Sequence, residues 1–366
     1  MMKMKVICVL VMFFFAFGAC QFGDFGKSLQ DGFDSIGKTI QEGYDEVVNQ
    51  LEKVPFVQDV KDFYDFVKQT GKSYATTAER TLREGIFNAR KALVEAENQL
   101  HAGYELALNA FADLTKEEFL SQLTGNRKSP QAEDKVKVRR LALKLNTTTK
   151  IPDSFDWRAR GAVTPVKFQG KCGSCWAFAV TGALESHSFR KSGKLINLSE
   201  QNLIDCGEKA YGLDGCDGGY QEYGFEFISR QNGLAHGAKY PYVDKKNTCS
   251  YRKAFKAAEL KGFSVIPPND EETMKKVVAT KGPLACSINA LETLLLYKKG
   301  IYEDEECNQD EPNHSVLVVG YGTEDGQDYW TVKNSWDNVW GEEGYFRLPR
   351  GKNFCKIASE CSYPVL

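Results

Sequence analysis

Hydrophobic and polar positions change rhythm several times along the 366 residues. Residues 22–54 repeat with a period of eleven: FGDFGKSLQDG, FDSIGKTIQEG and YDEVVNQLEKV align at Phe22, Phe33 and Tyr44, at Phe25, Ile36 and Val47, and at Leu29, Ile40 and Leu51. Eleven residues make about three helical turns, so these positions form one apolar stripe opposite a polar face. Gly26, Gly32, Gly37 and Gly43 each cost about 1 kcal/mol of helix stability, which makes the helix marginal alone. The segment reads either as an amphipathic element that docks on a lipid surface or partner, or as an extra helix of a leader. Pro55 breaks the pattern. Phe63, Tyr64, Phe66 and Val67 then predict a short buried helix, and residues 77–100 a long one. In the long helix Glu79, Arg83, Phe87, Arg90, Val94 and Asn98 recur on one face. Residues 124–150 are polar and basic, and read as an exposed linker where proteolysis concentrates.

Beyond the linker a glycine-rich bend, QGKCGSC, runs into WAFAVTGALESHSF, whose apolar residues fall close to helical spacing. Gly193 stands where a C-cap is expected, and Ser199 is a good N-cap for EQNLIDC. From Gly262 the rhythm becomes that of strands, in FSVIP, PLACSINA, HSVLVVGYG, DYWTVKNSW and GYFRLPR. The pattern therefore predicts an α+β protein with one helical and one antiparallel β subdomain behind a helical upstream module. The length suits two or three domains.

The formal charge of −2 points to neither nucleic acid nor a polybasic membrane surface. Residues 1–20 read as a signal peptide: Lys3 and Lys5 precede the apolar run Val6–Phe17, and Gly18 and Ala19 follow. That run is too short to span a bilayer, and no later stretch could cross one. Of eleven cysteines, Cys8 and Cys20 leave with the signal, and the rest follow residue 170, which in a secreted chain favours disulfides.

Cys175 falls at the first turn of the predicted helix after the bend. A helix N-terminus stabilises thiolate over thiol, so Cys175 is a candidate nucleophile in need of a base and an oxyanion hole. Two other readings of Cys172-Gly-Ser-Cys175 are weaker. A redox CxxC belongs after a strand in a thioredoxin-like unit, and a zinc site wants a second CxxC or an HxxxH pair, neither of which is present. The sequence thus asks for no metal and no cofactor. Of the four histidines, His101, His187, His236 and His314, none is singled out by composition alone.

QGKCGSCWAF resembles the nucleophile segment of the papain-like cysteine proteases, and the contexts NHSVLVVGYG around His314 and YWTVKNSW around Asn334 resemble that family's histidine and asparagine segments. The resemblance runs from about Phe63 to Leu366. The helical face Glu79–Asn98 is similar to the interrupted E-R-F-N-I-N motif of cathepsin L-type propeptides, with Arg90 for the usual Asn and Val94 for the usual Ile. Ala107-Leu-Asn109-Ala-Phe111-Ala-Asp113 resembles their G-N-F-D motif, with Ala107 where Gly is usual. The implied organisation is a signal peptide (1–20), the extra repeat segment (21–55), an inhibitory propeptide (56–123), a linker with the processing site (124–150) and a two-lobed peptidase domain (151–366).

The resemblance implies Cys175 as nucleophile and His314 as acid/base, drawn together as thiolate and imidazolium. Asn334 would orient the imidazole, Trp336 would shield that bond, and the Gln169 amide with the Cys175 backbone N–H would form the oxyanion hole. It implies that Gly218 and Gly219 let the substrate backbone approach, and that Tyr220, Gln221, Ser287 and Pro312 line the pocket for the second residue before the cut (P2), with Glu360 at its floor. A carboxylate there can pair with Arg or Lys; alternatively it turns to solvent or is neutralised by Lys356. The implied disulfides are Cys172–Cys216, Cys206–Cys249 and Cys307–Cys355; Cys286 and Cys361 either form a fourth or stay free. Asn146 and Asn197 stand in glycosylation sequons, and Asn313 in a formal one beside His314, where a glycan would block the site.

The expected protein is a monomeric thiol endopeptidase of the secretory pathway, lysosomal or extracellular. Its partners are protein or peptide substrates and its own propeptide, which is released in acid as carboxylates such as Asp113 protonate. The class-level alternative is a non-catalytic binding protein on the same fold.

Overall fold

The computed structural model describes residues 55–130, 132, 140–145 and 148–366, with side chains from residue 62. The leader and the eleven-residue repeat lie outside the described residues. Residues up to Ser73 form a unit of their own, which contains helix α1, Pro55–Thr70. There Phe63 and Phe66 are buried, whereas Tyr64, expected inside, is exposed: a helix presents only one face to an interior.

In the unit Tyr74–Leu366, helix α2 spans Thr77–Leu100. Thr76 caps it by accepting the Glu79 N–H at 3.1 Å, and the Glu79 carboxylate accepts the Ala75 N–H in return at 3.0 Å. The predicted face makes the contacts. Phe87 is buried, Arg83 holds Glu118 with both terminal nitrogens, and Arg90 pairs with Glu292. Asn98 exchanges two hydrogen bonds with the Leu106 backbone. That fixes strand β1, Tyr104–Leu106.

The helical lobe is built on α3, Cys175–Ser192, packed with α4, Glu200–Cys206, and α5, Gln221–Gln231. Helix α3 is buried nearly all round from Cys175 to Ser188, as a helix apolar on every side must be. Gly193 ends it at φ +71°, its N–H returning to the Phe189 carbonyl. Fully buried Trp176, Phe225 and Phe263 fill the core beside it, each worth about 1.5–3 kcal/mol when removed from water.

The second lobe is an antiparallel sheet that follows the predicted strands. After the short β2, Phe155–Asp156, come β3, Gly262–Val265, and β4, Leu284–Ile288. Strand β5, Tyr297–Gly300, lies outside the main sheet. Strands β6, His314–Glu324, and β7, Gln327–Lys333, follow, then β8, Tyr345–Pro349, and β9, Cys361–Val365. The spatial order is β8-β7-β6-β4-β9-β3, with β2 beside β6. Helix α6, Glu271–Thr280, packs against β6 and β4.

Strand β5 takes β1 of the upstream module as its partner, with Tyr104 opposite Gly300. The Ala107 N–H donates to Leu296 O at 2.8 Å and the Asn109 side chain to Leu295 O at 2.8 Å, so the segment that resembles the G-N-F-D motif is stitched onto the β lobe. Four disulfides close the fold: Cys172–Cys216, Cys206–Cys249, Cys286–Cys361 and Cys307–Cys355. Cys286 and Cys361 stand opposite each other on β4 and β9, and Cys175 is the free cysteine among the described residues.

Residues 124–126, expected in an exposed linker, are buried. Their polarity is spent on the protein rather than on water. The Gly125 and Asn126 N–H groups both donate to Asn313 O, and Gly125 O and the Arg127 N–H bracket Gly219.

Candidate active site

The start of α3 and the start of β6 meet at one sulfur. Cys175 is the first residue of α3, and the Ser315 N–H, next in chain to His314, donates to Cys175 Sγ at 3.4 Å. His314 Nε2 and Asn334 Oδ1 lie 2.8 Å apart, while Nδ1 has no hydrogen-bond partner. Adjacent strands bring histidine and asparagine together, since β6 opens at His314 and Asn334 follows β7 directly. The Trp336 ring sits 4.8 Å from the imidazole, centroid to centroid, and is itself fully buried.

Gln169 lies across the same seam. Its Oε1 accepts from Ser335 Oγ at 2.7 Å, and its Nε2 donates to two carbonyls at 3.0 Å, Cys172 O and Gln122 O. Gln122 belongs to the upstream module, so a carbonyl of the chain's own leading segment occupies the side-chain donor expected to serve an oxyanion. The same segment covers Trp336: its indole N–H donates to Leu123 O at 3.0 Å, and Phe111 and Phe119 pack on the ring.

Burial sets the protonation states. It pushes the Cys175 thiol up to about 12 and the His314 imidazole down to about 4, against the opposing hydrogen bond of Asn334. With the cleft covered, burial thus works against charge on both members of the pair. Loss of water outweighs the helix dipole, whose effect is within about 2 kcal/mol.

The residues expected to bind substrate are gathered here too. Gly218 has φ +121°, and a Cβ on it would meet the Arg127 side chain; one on Gly219 would enter the Trp176 ring. Gln221 and Ser287 are fully buried and bonded to each other at 2.9 Å. Glu360 O accepts from Gln221 Nε2 at 3.2 Å and from the Ser287 N–H at 3.0 Å, and Pro312 O faces the Asn126 side chain. The Glu360 carboxylate neither turns to solvent nor pairs with Lys356. It pairs with Lys128 of the upstream segment, whose ammonium also lies 5.2 Å from the Tyr220 ring centroid.

Sequence reasoning missed the charges behind the site. Lys167 bridges Glu185 and Glu200, Thr164 donates to Glu185 Oε2 at 2.6 Å, and Lys333, one residue before Asn334, donates to Thr164 O at 2.7 Å. Burial pulls the Lys333 amine down to about 8. The available signal was a charge inside an apolar run: Glu185 in ALESHSF and Lys333 in YWTVKNSW. Of the sequons, Asn146 lies outside the described residues and Asn197 is exposed. The Asn313 side chain is tied to Asn289 and Ala290.

A buried thiol opening a helix on one lobe, a histidine and asparagine on the other, and a leading segment laid across the seam define a cysteine protease in its covered form. The family described as papain family cysteine protease matches residues 151–365, and the cathepsin propeptide inhibitor domain matches residues 63–119. Cathepsin L of Sarcophaga peregrina is 43% identical over 318 residues, 84% of this chain and 93% of that protein. Cathepsin S of Bos taurus is 42% identical over 310 residues, 83% of this chain and 92% of that protein. Among solved structures, digestive procathepsin L 3 of the Tenebrio molitor larval midgut superposes with a TM-score of 0.76 at 37% identity, covering 84% of this chain and 99% of that one. The chain belongs to the papain family of cysteine proteases. It is a cathepsin L-like cysteine endopeptidase carrying its own inhibitory propeptide domain.

Proposed function

We propose that Cys175, His314, Asn334 and Gln169 carry the peptide hydrolysis. The observation that carries this reading is the 2.8 Å contact of His314 Nε2 with Asn334 Oδ1, beside a sulfur touched by the Ser315 N–H. Once the cleft opens to water, the imidazole takes the thiol proton and the thiolate attacks the carbonyl carbon. A C–S bond forms, and the oxyanion is held by the Gln169 amide and the Cys175 backbone N–H. The imidazolium then protonates the leaving amine, and water, activated by the same imidazole, releases the acyl group. Acidifying the full-length precursor and labelling it with a thiol-directed epoxide tests this. The mature enzyme should carry the label on Cys175, a Cys175→Ser chain should neither label nor mature, and label on any other cysteine overturns the assignment.

The pocket favours a basic as well as an apolar residue two before the cut. Lys128, seated against Glu360, supports this reading as a stand-in for such a residue. Peptides with Arg or Leu there decide it: an undetectable Arg rate, unchanged in Glu360→Ala, ends the idea. Maturation proceeds by cleavage within residues 124–150, a monomer results, Asn146 and Asn197 accept glycans, and the enzyme works in an acidic organelle or outside the cell.

A further inference from the structure

Glu222 stands in the first turn of α5, outside every role considered so far. Its Oε1 is 3.5 Å from the Tyr220 hydroxyl, and its Oε2 accepts from Arg140 Nη2 at 2.6 Å. Lys128 lies over the Tyr220 ring and pairs with Glu360. Two carboxylates thus share one tyrosine. Their side chains are 12% exposed for Glu360 and 9% for Glu222, against 52% for Lys128 and 42% for Arg140. The acids belong to the floor and the cations arrive from outside.

Among the described residues, the ion-pair partners of both acids come from the upstream segment. Glu360 Oε2 is buried without any hydrogen-bond partner. The charges of Lys128 and Glu360 both act on the Glu222 carboxyl, which burial holds above the usual range, so the three groups belong to one electrostatic site. When residues before 151 are cut away, two neighbouring carboxylates lose their counter-charges together and are left facing each other across Tyr220 without a cation. A cation supplied by the substrate relieves that.

We propose that Glu222 is a second specificity-determining residue: with Glu360 and Tyr220 it forms a two-carboxylate subsite for arginine two residues before the cut, a subsite that Lys128 and Arg140 fill in the precursor. The inference rests on the reading of Glu360 as the floor of that pocket. Arginine suits the pair better than lysine does. Its planar fork can donate to two acids at once and lie flat on the tyrosine ring, whereas an ammonium is a point charge that satisfies one acid, as Lys128 satisfies Glu360.

The test uses acid-matured enzyme counted by titration with the thiol-directed epoxide, and three peptides that differ only in carrying Arg, Lys or Leu at that position. Glu222→Gln should lower the Arg-to-Lys ratio of kcat/KM by about fivefold or more, and Glu222→Asp by less, because it keeps the charge at a longer reach. Glu360→Gln should depress Arg and Lys together relative to Leu. Wild-type ratios in both Glu222 variants overturn the inference, and if Glu360→Gln still loses its basic preference the reading of Glu360 survives. No turnover of the Arg peptide by the wild type overturns the Glu360 reading and this one with it. If Glu222→Gln gives no titratable enzyme, Glu222→Asp alone decides, and unchanged ratios there overturn the proposal.

Discussion

Gly125 has no room for a side chain. A Cβ there would lie 2.1 Å from Gly173 O, and its φ of +155° already favours glycine. Gly125→Ala should therefore lift residues 124–127 off Gly219 and Asn313 while leaving the peptidase sequence untouched. The cleft loses several hydrogen bonds of about 0.5–1.5 kcal/mol each, so full-length precursor at neutral pH should label with a thiol epoxide at least about tenfold faster. An unchanged labelling rate means the segment covers the thiol by other contacts. The place of Cys175, free and buried at the head of a helix, was legible because a glycine bend runs straight into an apolar helical pattern there. Glu222 was not, because a helix-surface glutamate becomes a pocket acid only when Tyr220 and Lys128 fold around it.

Helix α2 shows what one face of a helix can reveal. Arg83 and Asn98 stood out by spacing alone, and both make the bonds that hold the module together. Even the departure Arg90 has its answer in Glu292, a residue about two hundred positions away that no local pattern could supply. Strand β1 was illegible for the same reason: three residues become a strand only because β5 offers an edge.

The bond from Arg83 holds the Glu118 carboxyl below its ordinary value of about 4.5, so this pair stabilises the precursor fully above that pH and is lost only as pH falls further. Burial holds the Glu222 carboxyl above 4.5, so it takes up its proton earlier and lets go of Arg140 first, while its own lobe is relieved of a buried charge. Hydrogen exchange of a Cys175→Ser precursor, stepped from pH 6 downwards, should show residues near Arg140 and Leu141 opening before α2 and its contacts near Glu118. The reverse order contradicts this assignment.

For the molecule as a whole, the two lobes are pinned behind the site by Lys167, Glu185, Glu200, Thr164 and Lys333. Lys167→Met leaves Glu185 and Glu200 buried with their bridging cation gone, which should cost about 3–5 kcal/mol of stability. Calorimetry of the precursor should show a marked fall in Tm, and an unchanged Tm would mean water reaches the cluster. The two-lobed architecture was readable because helical and strand rhythms occupy separate halves of the peptidase region. The placement of residues 124–127 was not readable: a polar stretch looks the same whether it is bathed in solvent or hydrogen-bonded along a cleft.

The strand that β1 lends to β5 outlasts any cut made downstream of it. Severing the chain between residues 124 and 150 leaves the leading piece attached by a backbone ladder and the Arg90–Glu292 pair, so nicking and release are separate events. Freshly nicked enzyme should regain activity faster when diluted, and crowding it with its own excised piece should silence it again.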